Sequence, residues 1–193
     1  MNAPLDLKLR KPEFLRWVQE QTGGRYELKA GSVIMQAGTT RGHWRIYSRF
    51  IVEIQKQLDS MKWEVGGTDL AVEIGETVRY PDVLVEAAGR DGRALSTTEP
   101  SLLVEVLSPS SVGTDMTEKP AEYASIPSLE AYIVASQDEP IVWLWLRRDP
   151  AGGTLGDMPQ RPLELAGRNA LIEVPRLGLS LPLASIYRGI GTP

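Results

Sequence analysis

The sequence predicts an α/β (α+β) protein, with a mixed β-sheet flanked by helices. Three observations lead there. Short apolar runs of strand length alternate with helix-period segments along the 193 residues. The runs at Val83-Leu84-Val85, Leu102 to Leu107 and Ala131 to Ala135 are near-continuous, as in strands covered on both faces. The segment from about Gly42 to Lys62 carries apolar residues at steps of three and four. The length suits one domain, taken as residues 12–193 behind a flexible N-terminal arm at 1–11.

In chain order, Pro12 opens a short helix through Val18, and Gly23-Gly24 ends it. Arg25 to Lys29 and Ser32 to Gln36 read as two strands joined at Ala30-Gly31, a hairpin. The long helix follows, with Trp44, Tyr47, Ile51, Ile54 and Leu58 as its apolar stripe and Arg41, Arg45 and Arg49 on another face. Gly66-Gly67 reads as a break. Asp69 to Ile74 and Thr77 to Tyr80 read as strands around a Gly75-Glu76 turn. The segment from Ala87 to Pro100 reads as a polar, mobile linker. A helix starts near Asp115 or Thr117, either of which suits a cap, and stops at Pro127. Ala131 to Ala135 and Ile141 to Leu146 are strands, Asp149 to Arg161 a Gly/Pro-rich loop, and the remainder short strands before a tail at Tyr187.

Composition removes much chemistry. With no cysteine there is no disulfide, zinc–thiolate site or thiol nucleophile. With one histidine, His43, there is no three-His zinc site. No phosphate-binding or dinucleotide-binding glycine loop and no nucleophile elbow is present. Any catalysis must rest mainly on Asp, Glu, Lys, Arg, Tyr and Ser, so carboxylate-bound Mg²⁺ or Mn²⁺ is the leading device. The net charge of -4 argues against a nucleic-acid coat protein but leaves room for a local basic patch. No apolar run of membrane-spanning length exists, and the N-terminus has charges mixed through it, unlike a signal peptide. A cytoplasmic location is expected.

Two acids stand out. Asp82 opens the Val83-Leu84-Val85 run, and Glu105 interrupts Leu102 to Leu107. An ionised carboxylate within a buried strand is costly unless paired or metal-bound. Two of them on neighbouring strands suggest a metal site.

The segments Arg25-Tyr26-Glu27-Leu28, Tyr80-Pro81-Asp82-Val83, Leu103-Val104-Glu105-Val106-Leu107-Ser108-Pro109-Ser110 and Glu118-Lys119 with Glu122-Tyr123-Ala124 carry a resemblance. They resemble the Uma family of putative restriction endonucleases, part of the PD-(D/E)XK nuclease superfamily, over about Phe14 to Tyr187. The resemblance implies a restriction-endonuclease-like core and a divalent ion held by Asp82 and Glu105. It also implies DNA as substrate. The superfamily's usual lysine position is Leu107 here, and the resemblance shifts that role to Lys119 on the next helix. Glu27 would add a carboxylate and His43 a contact at the long helix. Pro120 after Lys119 and Ala135, where the family tends to have Asp, depart from the pattern.

Each residue also has a plainer reading. Asp82 suits a turn after Pro81, Glu105 an edge strand, Lys119 and Glu27 solvated or ion-paired surfaces, and His43 a helix terminus. Arg41, Arg45 and Arg49 could be a solvated face or a DNA contact. Tyr123 reads as packing, and Trp143 and Trp145 as core or dimer interface. Three functions stay open: a metal-dependent endodeoxyribonuclease, a hydrolase expected to act as a homodimer; an inactive nuclease-fold protein that binds nucleic acid or a protein; and a homodimeric interaction module.

Overall fold

The computed structural model describes residues 3–147 and 156–190. Two six-stranded sheets and a small two-stranded one make up the β structure. The central sheet runs β12 (Leu163–Ala166), β11 (Ile141–Leu146), β10 (Ala131–Ala135), β9 (Pro100–Val106), β7 (Val83–Ala87) and β4 (Trp63–Gly67). Its pairs are antiparallel except β9 with β10, so the sheet is mixed as expected. The second sheet runs β1 (Ala3–Lys8), β3 (Ser32–Gln36), β2 (Arg25–Lys29), β6 (Thr77–Arg79), β5 (Ala71–Ile74) and β8 (Ser96–Thr97). The last pair is β13 (Leu171–Val174) with β14 (Leu179–Pro182). The helices are α1 (Lys11–Gln19), α2 (Arg41–Gln55), α3 (Lys119–Ala124) and α4 (Leu183–Ile186).

The pleat of the central sheet divides its apolar residues. Val83, Val85, Leu102, Val104, Ala131 and Ile133 face a core shared with α2, α4 and β13–β14. Leu84, Leu103, Tyr132, Val134 and Trp145 face the other way, onto Tyr123, Ile126 and Val72. Both faces are covered, which is why these strands read as continuous apolar runs. A third core packs Phe14 of α1 against Leu28, Val33 and Val78 of the second sheet. Trp145 lies in the core beside Tyr132, and half-buried Trp143 donates to Glu164. Trp145 takes the core position of that reading, and Trp143 packs only at the margin of the same core.

Several elements differ from the sequence expectation. Residues 3–8, expected as a loose arm, form β1 on the edge of the second sheet. Leu5, Leu7 and Leu9 alternate and put one apolar face onto the third core, which offsets the ordering entropy. The glycines read as a break belong to β4, where backbone pairing with β7 needs no side chain. The stretch read as a mobile linker holds β8, in parallel register with β5. The helix α2 ends at Gln55, and Gln57 closes it by donating to the Glu53 and Ser180 carbonyls. Its buried face is His43, Ile46, Phe50 and Ile54, while Trp44 is 52% exposed. Tyr47, Ile51, Ile54 and Leu58 of the expected stripe pack on the same core, so the buried face is wider than expected and leaves out only Trp44. The expected tail at Tyr187 is buried: its hydroxyl donates to the carbonyls of Ser136 and Ile141. Most of the loop read from Asp149 lies outside the described residues.

The Ala30-Gly31 turn confirms the hairpin chemistry. Both residues have positive φ, 45° and 86°, as a type I′ turn requires. This hairpin places Glu27 of β2 over the site described next.

Candidate active site

Strand register brings the two unusual acids together. Val83 of β7 stands opposite Val104 of β9, so Asp82 falls one step further on, across from Glu105. The Val106 N–H donates to Asp82 Oδ2 at 2.8 Å, which fixes that carboxylate against the end of β9. Neither acid is the surface residue of the plainer reading: Asp82 is 3% and Glu105 5% exposed.

Lys119 arrives from α3. Thr114–Glu118 form a π-helical turn directly ahead of it, and the Lys119 N–H donates to the Thr114 carbonyl. Proline disfavours a helical residue before it, yet Lys119 has φ -60° and ψ -39°. The widened turn helps because Pro120 cannot make, and its ring obstructs, an ordinary helical bond. The side chain is thereby buried among acids. Its Nζ lies 2.6 Å from Glu105 Oε1, 2.9 Å from Asp115 Oδ1 and 3.7 Å from Glu27 Oε1. Asp115, expected as a helix cap, is instead this buried partner one helical turn back. The contact with Asp115 is an ion pair whose angle is not that of a hydrogen bond.

Glu27 also belongs to the site. Its Oε2 accepts from Arg79 Nη1 at 2.8 Å and Gln36 Nε2 at 3.0 Å. Arg79, 1% exposed, forks onto Glu122 through Nε and Nη2 at 2.8 and 2.7 Å. His43 is buried as well, with Nε2 3.1 Å from Asp82 Oδ2 and Nδ1 without a hydrogen-bond partner among the described residues. Its place in the first turn of α2 is set by the Thr40 hydroxyl, which accepts from the His43 N–H. Arg25 Nη2 lies 3.8 Å from Asp82 Oδ1. Tyr123, expected only to pack, also donates to Glu105 Oε1 at 3.4 Å.

The groups meet in a cleft of about 370 Å³. Asp82, Glu105, Lys119, Glu27, His43 and Asp115 all line it, with the Ser108, Ser110 and Ser111 hydroxyls at one wall. Of the three arginines on α2, none lines this cleft. Arg49 donates to the Ile186 carbonyl and braces α4, a structural role, while Arg41 and Arg45 are exposed.

Electrostatics follow from crowding buried acids together. Burial is the largest influence on Glu105 and pushes its carboxyl well above the ordinary range; Lys119 opposes this, while Asp115, Asp82 and Glu27 add to it. Burial also works against the Lys119 ammonium, but Glu105, Glu27 and Asp115 outweigh it and hold its pKa well above that of a free lysine. For Glu27, burial is outweighed by Lys119 and Arg79, so its carboxyl titrates below the usual value.

Among the described residues, no three His, Cys, Asp or Glu side chains form a ready cage for an ion. Magnesium needs less from a protein: one or two carboxylates suffice where substrate phosphate and water complete the shell. The hard oxygens of Asp82 and Glu105 fit that demand. Asp82, Glu105 and Asp115 crowd around one ammonium while Glu27 also has Arg79, and a divalent cation between Asp82 and Glu105 would favour the ionised form of Glu105 that burial opposes.

A mixed-sheet α+β fold with a buried acidic cleft and one lysine defines the class. A crystal structure titled as a putative nuclease belonging to DUF820, from Anabaena variabilis, superposes with TM-score 0.74 at 18% identity, covering 93% of this chain and 98% of that one. The two share a fold. The family model "Uma2: Putative restriction endonuclease" matches residues 12–183, and the chain belongs to that family. Two Synechocystis relatives carry the names uncharacterized protein slr1290 and uncharacterized protein sll1609. The first is 31% identical over 186 residues, covering 95% of this chain and 93% of its own. The second is 30% identical over 160 residues, covering 80% and 86%. Among the described residues, no helix is long and apolar enough to cross a membrane.

Proposed function

We propose that this protein is an endonuclease that hydrolyses phosphodiester bonds in DNA with the help of Mg²⁺ or Mn²⁺. The observation that carries the reading is the convergence of Asp82, Glu105 and Lys119 on one cleft. Asp82 and Glu105 would hold the cation. When bound there, such an ion supplies charge neutralisation at the phosphate and lowers the pKa of a coordinated water. The chain's own residues do the rest. The Val106 N–H and His43 aim the Asp82 carboxylate. Lys119 stays charged at neutral pH and presents that charge to the phosphate oxygens, whose negative charge grows in the transition state. Glu27, locked to Arg79, keeps a carboxylate beside Lys119 and holds its ammonium in place.

The test is nicking of supercoiled plasmid in Mg²⁺ or Mn²⁺. Wild type should nick, and Asp82→Ala and Glu105→Ala should each lose roughly 100-fold or more, the scale of removing a group that stabilises transition-state charge. Nicking that persists in both variants would end the proposal. A second reading, a nuclease-fold protein that binds DNA without cutting, is favoured by one observation: Lys119 is already engaged by three carboxylates. Salt-sensitive binding without turnover in any divalent metal would select it.

A further inference from the structure

Next to the cleft lies a surface that the catalytic reading does not use. Thr39, Thr40, Arg41, Trp44 and Arg45 line a shallow depression of about 560 Å³ at the start of α2. Thr39 lines the cleft as well, so the depression adjoins the cleft across that residue. His43, bonded to Asp82 in the cleft, precedes Trp44 directly in the chain. An indole that is 52% exposed is unusual in a protein whose other large aromatics mostly pack. Arg41 and Arg45 flank it, both exposed, on a protein of net charge -4. An exposed indole and two guanidinium-bearing side chains lining one depression match one ligand chemistry: an unstacked base with its flanking phosphates.

We propose that Trp44 is a stacking platform for an unpaired base of the strand held in the cleft, with Arg41 and Arg45 on the adjacent phosphates. The inference rests on the nuclease reading and narrows its substrate to DNA with a single-stranded segment at or beside the scissile phosphate. A fully paired duplex keeps its bases stacked on each other and offers Trp44 no free face, so it meets only the arginines.

The test is fluorescence anisotropy with labelled 12-mer oligonucleotides, single-stranded and duplex, in EDTA so that no strand is consumed. Nicking by the same wild-type preparation in Mg²⁺ is read in parallel. Trp44→Ala should weaken single-strand binding about tenfold or more, the range of one lost base stack, and duplex binding by less than about twofold. Trp44→Phe should recover most of the loss. Arg41→Ala and Arg45→Ala should weaken both forms and each flatten the salt dependence. Equal effects of Trp44→Ala on both forms, or no effect on either, would overturn the inference while wild-type nicking leaves the nuclease reading standing. Normal Trp44-dependent binding without nicking would do the reverse.

Discussion

Replacing Lys119 by methionine removes one positive charge from a buried nest while keeping the length of the side chain. Three carboxylates within 3.7 Å lose their shared counter-ion. Breaking a buried ion pair from one side costs about 3–5 kcal/mol, because the charge left behind is uncompensated. Glu27 keeps Arg79, which puts the expected loss near the lower end, about 3 kcal/mol at pH 8. For a chain of this size that is a fall in Tm of roughly 6–12 °C. The pH dependence has a definite sign. Lys119 has a raised pKa, so its stabilisation is fully present below the ordinary lysine value of 10.5 and does not change between pH 5 and 8. The slope comes from the carboxylates. Glu105 is already raised, and without Lys119 it rises further, so the folded variant binds more protons than the unfolded chain. Its stability therefore falls as pH rises. Urea denaturation followed by circular dichroism at pH 5 and pH 8 measures this. The variant should lose least at pH 5 and most at pH 8. A loss below about 1 kcal/mol at pH 8, or one independent of pH, would refute the charge balance assigned to the nest.

Other expectations are simpler to state. Millimolar Mg²⁺ should raise the Tm of Lys119→Met more than that of wild type, since the acids then lack their own cation; equal shifts in differential scanning fluorimetry would count against a shared site. Arg79→Met should cost about 3–5 kcal/mol in urea denaturation, because Glu27 and Glu122 are both left facing an apolar chain. Tyr187→Phe should cost about 1 kcal/mol by the same method, because the half-buried Ser136 carbonyl loses the hydroxyl while Ile141 keeps the Ser136 N–H. Leu103→Ala, in the core behind Glu105, should cost about 2–5 kcal/mol.

What the sequence disclosed depended on how local the signal was. Asp82 and Glu105 were legible because an acid inside an apolar strand is anomalous wherever the strand lies, and the strands themselves announced burial on both faces. Asp115 was not, since an acid near a helix start also satisfies the cheaper reading as a cap; its spacing of four from Lys119 was the available clue. Arg79 was silent because an arginine ending a short strand gives no sign that Glu27, 52 positions away, and Glu122, 43 positions away, close over it. The signal for β1 is the alternation of Leu5, Leu7 and Leu9, which Asp6, Lys8 and Arg10 between them make equally compatible with a solvated arm. Of the expected α2 stripe, Tyr47, Ile51, Ile54 and Leu58 do pack on the core; Trp44 alone does not, because the sheet takes Ile46 and Phe50 on the neighbouring side of the same face.

Manganese can report directly on the divalent cation proposed to sit between Asp82 and Glu105. Crystals grown with Mn²⁺ should give an anomalous difference peak in contact with one carboxylate oxygen from each residue, at roughly 2.0–2.4 Å, and Glu105→Ala crystals should lose it. A peak elsewhere in the cleft that survives Glu105→Ala, or no peak in protein that nicks DNA, would contradict the account.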